Sequence, residues 1–142
     1  MATKDELYTF AMALLDNAKN ALARDGSVTN THTLLKTNAQ KVCIAEAGVD
    51  KDAMARTLKA VAPACKAVGS TFEAWMARDV DARPSLHPSR FEAIVVLVQS
   101  KEGSWFITAK FDRDAHGKPR SPSAPETSWN GDLGGRYSNL YA

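Results

Sequence analysis

An α+β fold, with two helices packed on a small and mostly antiparallel sheet, is what this chain predicts, and three observations carry it. Apolar residues recur at helical spacing after Thr3 and again after Asp50. Residues 91–113 read instead as two strands joined by a turn. A chain of 142 residues with 44% hydrophobic and 24% charged side chains is long enough to bury a core as one domain without a metal or disulfide staple.

The first element is an amphipathic helix from about Lys4 to Arg24. Thr3 and Glu6 form a capping box, in which the hydroxyl accepts from one free amide and the carboxylate reaches back to another. Leu7, Phe10, Ala11, Leu14, Ala18, Ala21 and Leu22 then share one face, and Asp25-Gly26 ends the helix with a residue free to turn left-handed. SVTNTHTLLKT is rich in threonine and poor in helix formers, which predicts a strand across Val28 to Leu35. QKVCIAE, residues 40–46, is read as a second strand, although so short an apolar run also suits a helix start.

A second helix begins after Asp50, a good N-cap. Met54, Leu58, Val61, Cys65 and Val68 fall on one side at 100° per residue, with Asp52, Arg56, Lys59 and Lys66 opposite. Pro63 predicts a kink or break near Val61, and Gly69 closes the segment. STFEAWMARD alternates as a strand. FEAIVVLVQS is apolar on both faces from Ile94 to Val98, as befits a central strand covered twice, and WFITAKFDR alternates after the KEGS turn. Both helices are expected on one face of the sheet.

From Gly117 the composition turns to Gly, Pro and Ser. The expected organisation is therefore one α+β domain over residues 1–116 and a flexible or partner-ordered tail over 117–142. Trp129, Tyr137 and Tyr141 interrupt that tail. Aromatics spaced through a polar segment suit docking to a partner, and they suit packing back on the body equally well. Pro119, Pro122 and Pro125 read as a spacer.

A net charge of +2 is too small to imply nucleic acid by bulk electrostatics. Cys43 and Cys65 lie far apart and near no histidine pair, so neither a zinc site nor a redox motif is expected. MATKDELYTF carries charge where a signal peptide has its apolar core, and no apolar run is long enough to span a bilayer. A reducing, cytoplasmic setting and no membrane partner follow as expectations.

Glu73, Ala74 and Trp75, then Arg83, Pro84, Ser85, His87, Pro88, Arg90, Glu92 and Ala93, then Arg113, Asp114 and Gly117 form a pattern: E-A-W, R-P-S-x-H-P-x-R-x-E-A, a hairpin, R-D-x-x-G. It resembles uncharacterised small proteins of bacteria, phages and plasmids, over about the middle third of the chain. The resemblance implies an origin and brings no assigned activity.

Three groups of residues are candidates for chemistry. Ser85 and His87 are two apart, as a nucleophile and its base in an extended segment could be. No strand-to-helix nucleophile elbow is present and no acid is placed to orient the histidine. Pro84 and Pro88 fit a connector better, with Arg83, His87, Arg90 and Glu92 in local hydrogen bonds. Asp112, Asp114 and His116 alternate and could face one divalent metal, with His87 from the neighbouring loop. As a calcium loop the stretch fails, because Ser123 stands where a bidentate glutamate belongs. Arg56, Lys59 and Lys66 form a basic face able to meet phosphates, diluted by Asp52 and without any base-reading motif.

These absences favour a binding protein over an enzyme, with no catalytic residue and no cofactor. The expected function is an accessory factor of a phage or mobile element that modulates a host protein complex. Trp129, Tyr137, Tyr141, Arg83, His87 and Arg90 are its expected partner-binding residues. A metal-dependent hydrolase using Asp112, Asp114 and His116 is the enzyme alternative, and a nucleic-acid-binding module using Arg56, Lys59 and Lys66 is the other. An exposed sheet edge also leaves room for pairing with a second copy.

Overall fold

Thr3 caps the first helix as its position predicts: its Oγ1 accepts from the amide of Glu6 at 3.1 Å. Helix α1 runs over Lys4–Asp25, and Gly26, at φ 78°, returns its N–H to the carbonyl of Leu22. The computed structural model describes residues 2–76, 90–131 and 137–141. In chain order after α1 come β1 (Thr31–Lys36), β2 (Lys41–Ala45), α2 (Lys51–Val61), β3 (Cys65–Met76), β4 (Phe91–Gln99), β5 (Ser104–Phe111) and β6 (Glu126–Trp129).

The six strands form one antiparallel sheet in the order β2-β1-β3-β4-β5-β6. The α+β class read from the sequence is the fold observed. Beta4 holds the middle, and its alternate residues face opposite sides, as a period of two requires. Ile94, Val96 and Val98 pack under α1 together with Leu7, Phe10, Leu15 and Leu22. Fully burying one such leucine is worth about 1.5–3 kcal/mol, so this face supplies much of the drive to fold.

The second helix is shorter than its periodicity predicts. Alpha2 ends at Val61, a 3-10 turn takes Ala62–Ala64, and Cys65 enters β3. Pro63 is the reason, since it has no N–H to continue the ladder and its ring clashes with the preceding turn. Cys65 and Val68 are thus strand residues, and their fit to the helical arc is a coincidence of spacing. Lys66 leaves the expected basic helix face as well.

The helices also divide between the two faces. On β3, Ala67 joins the α1 core, while its neighbour Val68 joins Met54, Leu58 and Ala62 on the other side. Leu35 and Leu34 of β1 divide in the same way. The expectation of two helices on one face is therefore corrected: a central strand apolar on both faces needs a cover on each.

Parts of the C-terminal segment build that second cover. Beta6 pairs with β5, and Tyr137 and Leu140 are buried against α2. In these described stretches the aromatics pack back on the body. Trp105 ties the far side of the sheet to α1, donating its Nε1–H to the carbonyl of Lys4 at 3.0 Å, with the Tyr8 and Trp129 rings at 5.0 and 5.2 Å.

Helix α1 crosses the sheet at Gly69, where a β-carbon would come within 2.3 Å of Leu14 Cδ1 and 3.2 Å of the Phe10 ring. Gly69→Val must push both side chains out of a packed core. It is expected to lower the free energy of unfolding by about 1–3 kcal/mol, read from urea denaturation followed by circular dichroism.

Candidate functional site

His32 stands on β1 two residues before Leu34, on the side that α2 and the C-terminal turn cover. It is fully buried. Its Nδ1 lies 2.8 Å from Ser70 Oγ of β3, and its Nε2 lies 3.2 Å from Glu46 Oε2, just beyond β2. Tyr137 donates its hydroxyl to the other oxygen of Glu46, and its ring meets the His32 imidazole edge-on at 4.5 Å. Gln99 of β4 completes the cluster, donating to the carbonyl of Tyr137 at 2.6 Å and accepting from the amide of Leu140 at 3.0 Å.

The carboxylate of Glu46 can only accept, so Nε2–H donates to it and Nδ1 accepts from the Ser70 hydroxyl. Neutral His32 is the form that satisfies this set. Burial pushes the His32 pKa below its ordinary 6.5, against the pull of Glu46. For Glu46, burial raises the pKa, but hydrogen bonds from Tyr137 and His32 outweigh it and leave the group below its ordinary 4.5. Among the described residues no buried polar side chain lacks a hydrogen-bond partner.

A hydroxyl, an imidazole and a carboxylate in a row have the composition of a nucleophilic triad. Their setting is wrong for one. Ser70 has no exposed surface, and the ring of Tyr137 covers the histidine. A nucleophile must reach its substrate beside donors for the oxyanion, whereas here each polar atom is spent on another. The cluster is a clasp: it fastens the C-terminal turn and the end of β2 to the middle of the sheet. Sequence reasoning singled out Tyr137 as a tail aromatic and passed over His32, Glu46, Ser70 and Gln99. The available signal was His32 sharing the strand face of Leu34, where a lone polar ring must find partners.

The other candidates come out as follows. Arg83, Ser85 and His87 lie outside the described residues. Arg90 places its guanidinium 4.6 Å from the centre of the half-exposed Trp75 ring. Trp129 packs on Trp105, Tyr137 is in the clasp, and the Tyr141 hydroxyl donates to the carbonyl of Cys65 at 3.3 Å. Burial, with Cys65 and Glu102 nearby, pushes the Tyr141 phenol up to about 12. All three tail aromatics thus face the body.

Asp112 pairs with Arg120 at 3.2 Å. Asp114 accepts from the amides of His116 and Lys118 at 2.8 and 3.0 Å, which makes it the cap of a tight turn. Those two amides, foremost that of Lys118, hold its carboxyl below the ordinary range. Asp112, Asp114 and His116 do not converge, and no group of three potential metal ligands gathers among the described residues. Arg56 and Lys59 are exposed on α2, while Lys66, on β3, pairs with Glu6 of α1 at 2.7 Å. No helix among the described residues is long and apolar enough to cross a membrane.

Arg113 gathers the pattern that the sequence singled out. Its Nε donates to Glu92 at 2.9 Å, one terminal nitrogen donates to the carbonyls of Gly26 and Gly117 at 3.0 and 3.1 Å, and the other lies 3.6 Å from Glu73. Glu73 also accepts from the amide of Val28. One planar cation therefore joins the end of α1, three strands and the 114–118 turn. This is a structural role, in which the charge of the guanidinium is met by two carboxylates.

The outer edge of the sheet is different. Gln40 accepts from the amide of Lys36 and Asn30 from that of Glu46, so hydrogen-bonded pairs between β1 and β2 fall on even residues of β2. Lys41, Cys43 and Ala45 consequently aim their N–H and C=O groups away from the sheet. Val42 is 43% exposed, and Cys43 is exposed with a free thiol. Lysine is the common guard of such an edge, but the ammonium of Lys41 lies over the Phe10 ring, 5.6 Å from its centre.

The fold and this geometry define the class as a two-sided α+β domain with a sealed polar core and an outer strand edge that no other strand among the described residues pairs. Comparisons with family models, curated proteins and solved structures find no match for the chain.

Acid should loosen the clasp. With the pKa values of His32 and Glu46 both depressed on folding, the unfolded chain binds more protons below pH 6.5, and more again below 4.5. Stability should be level between about pH 6.5 and about pH 8 and fall below that range in those two stages. Tyr137→Phe removes one donor from a buried carboxylate and should cost about 1–3 kcal/mol at pH 7. Urea titrations of both chains across this pH range check the two outcomes together.

Proposed function

We propose that this chain is a non-enzymatic protein-binding module that takes its partner as an added strand along β2. The observation that carries the reading is the row of outward backbone donors and acceptors at Lys41, Cys43 and Ala45, flanked by exposed Val42 and left uncovered by the edge lysine. Main-chain hydrogen bonds would supply affinity, and alternate side chains would supply selectivity. The polar cluster best suited to chemistry by composition is closed, which weighs against catalysis. The separation of Lys66 from Arg56 and Lys59 weakens the phosphate-binding alternative.

Cys43→Pro tests this directly. The N–H it removes points outward, so no bond to β1 is lost, and proline is tolerated at such edge positions. A tagged wild-type chain should retain a protein partner from nuclease-treated lysate that also contains untagged chain, and the proline variant should not. Retention by the proline variant, or capture abolished by the nuclease, contradicts the reading.

A further inference from the structure

Resting on the strand-addition reading, we infer that the partner of β2 is a second copy of this chain, paired antiparallel about a two-fold axis at Cys43. The outward groups are those of residues 41, 43 and 45, a set symmetric about its middle member. A two-fold through Cys43 sets Cys43 opposite its own copy and each Lys41 opposite the other copy's Ala45. Every outward N–H then meets an outward C=O, as the narrow pairs of an antiparallel ladder demand.

The side chains agree with this register. On the α2 side, Val42 of each copy falls opposite Ile44 of the other, which removes from water an apolar side chain now 43% exposed. Cross-strand pairs of β-branched residues are favourable contacts. On the α1 side the small Cys43 and Ala45 leave room for close approach. Charge is compatible too: the one lysine of β2 meets an alanine, and antiparallel pairing puts the two lysines at opposite ends of the joint. Glu46, the nearest acid, is turned inward to His32 and Tyr137.

The opposite edge does not invite the same pairing. Beta6 has only four residues and begins with Glu126, which would place a charge in any added ladder. The joint at β2 therefore closes on itself, giving a dimer with one continuous sheet and no filament. A cleft of about 270 Å³ beside Cys43, bordered by Leu14, Ala18, Thr31, Thr33 and Thr71, would lie next to its symmetry mate across the joint.

Sedimentation of the purified full chain in reductant tests the inference, together with Cys43→Asp, which sets two carboxylates face to face on the axis, and Cys43→Ser as the neutral control. Wild type and Cys43→Ser should be dimers at micromolar concentration, and Cys43→Asp a monomer with unchanged circular dichroism and a melting temperature that, unlike that of wild type, does not rise with protein concentration. Hydrogen exchange gives a second readout that needs no variant. Between dilute and concentrated protein, the amides of Lys41, Cys43 and Ala45 should slow about tenfold or more, while those of Val42 and Ile44 stay protected throughout. A wild-type monomer up to millimolar concentration, or a Cys43→Asp chain as dimeric as wild type, overturns the second copy as partner. If that happens while Cys43→Pro still loses a captured protein, strand addition stands with another partner; if the proline variant also keeps its partner, strand addition falls as well.

Discussion

A central strand that is apolar on both faces imposes the main constraint on this fold, because such a strand is stable only when each face is covered. Beta4 presents Ile94, Val96 and Val98 to one side and Ala93, Val95 and Leu97 to the other, all of them buried. One helix of 22 residues covers the first side. Alpha2 has only 11 residues and is cut short by Pro63, so over β1 and β3 the second side draws on the chain's end, with Tyr137 and Leu140 beside Met54 and Leu58. A turn of so few residues buries too little apolar surface to hold itself in place. It is held by polar contacts that are strong because they are dry.

That accounts for the chemistry of the clasp. In water, an exchange of hydrogen bonds among Ser70, His32, Glu46 and Tyr137 would gain little, since each group is already solvated. Inside the sheet the same groups have only one another, and a missing partner exposes a buried charge or hydroxyl to a medium that cannot compensate it. The cluster thus acts as a test of correct assembly: β1, the end of β2, β3 and the C-terminal turn must all be in place before it is satisfied. The resemblance to a nucleophilic triad follows from the same need, because a neutral imidazole between a donor and a carboxylate uses both nitrogens at once.

What was legible in the sequence follows from how local each signal was. Helix α1, its Thr3 cap and its Gly26 stop were readable because periodicity and capping are decided within a few residues. The β4–β5 hairpin was readable for the same reason. The end of α2 was harder, since Cys65 and Val68 fit the helical arc as well as they fit a strand, and only Pro63 told against the longer helix. Beta6 could not be read at all: four residues among Ser, Pro and Thr carry no period, and their strand state comes from β5 alongside. The clasp was hidden for a different reason. His32 is 14 residues from Glu46 and 38 from Ser70, and nothing in any one segment announces the other two.

The Arg113 cluster shows the converse case, in which a sequence pattern was visible before its reason was. Glu73, Glu92, Arg113 and Gly117 belong to the pattern that the sequence singles out, and here they meet around one guanidinium. An arginine suits this place because its planar fork serves several acceptors in fixed directions, which a lysine's single ammonium cannot do. That fork closes one end of the sheet, and the clasp fastens the C-terminal turn. At the other end of the sheet the backbone of β2 keeps outward N–H and C=O groups at Lys41, Cys43 and Ala45, because β2 is the last strand on its side and no other described strand lies alongside to pair them.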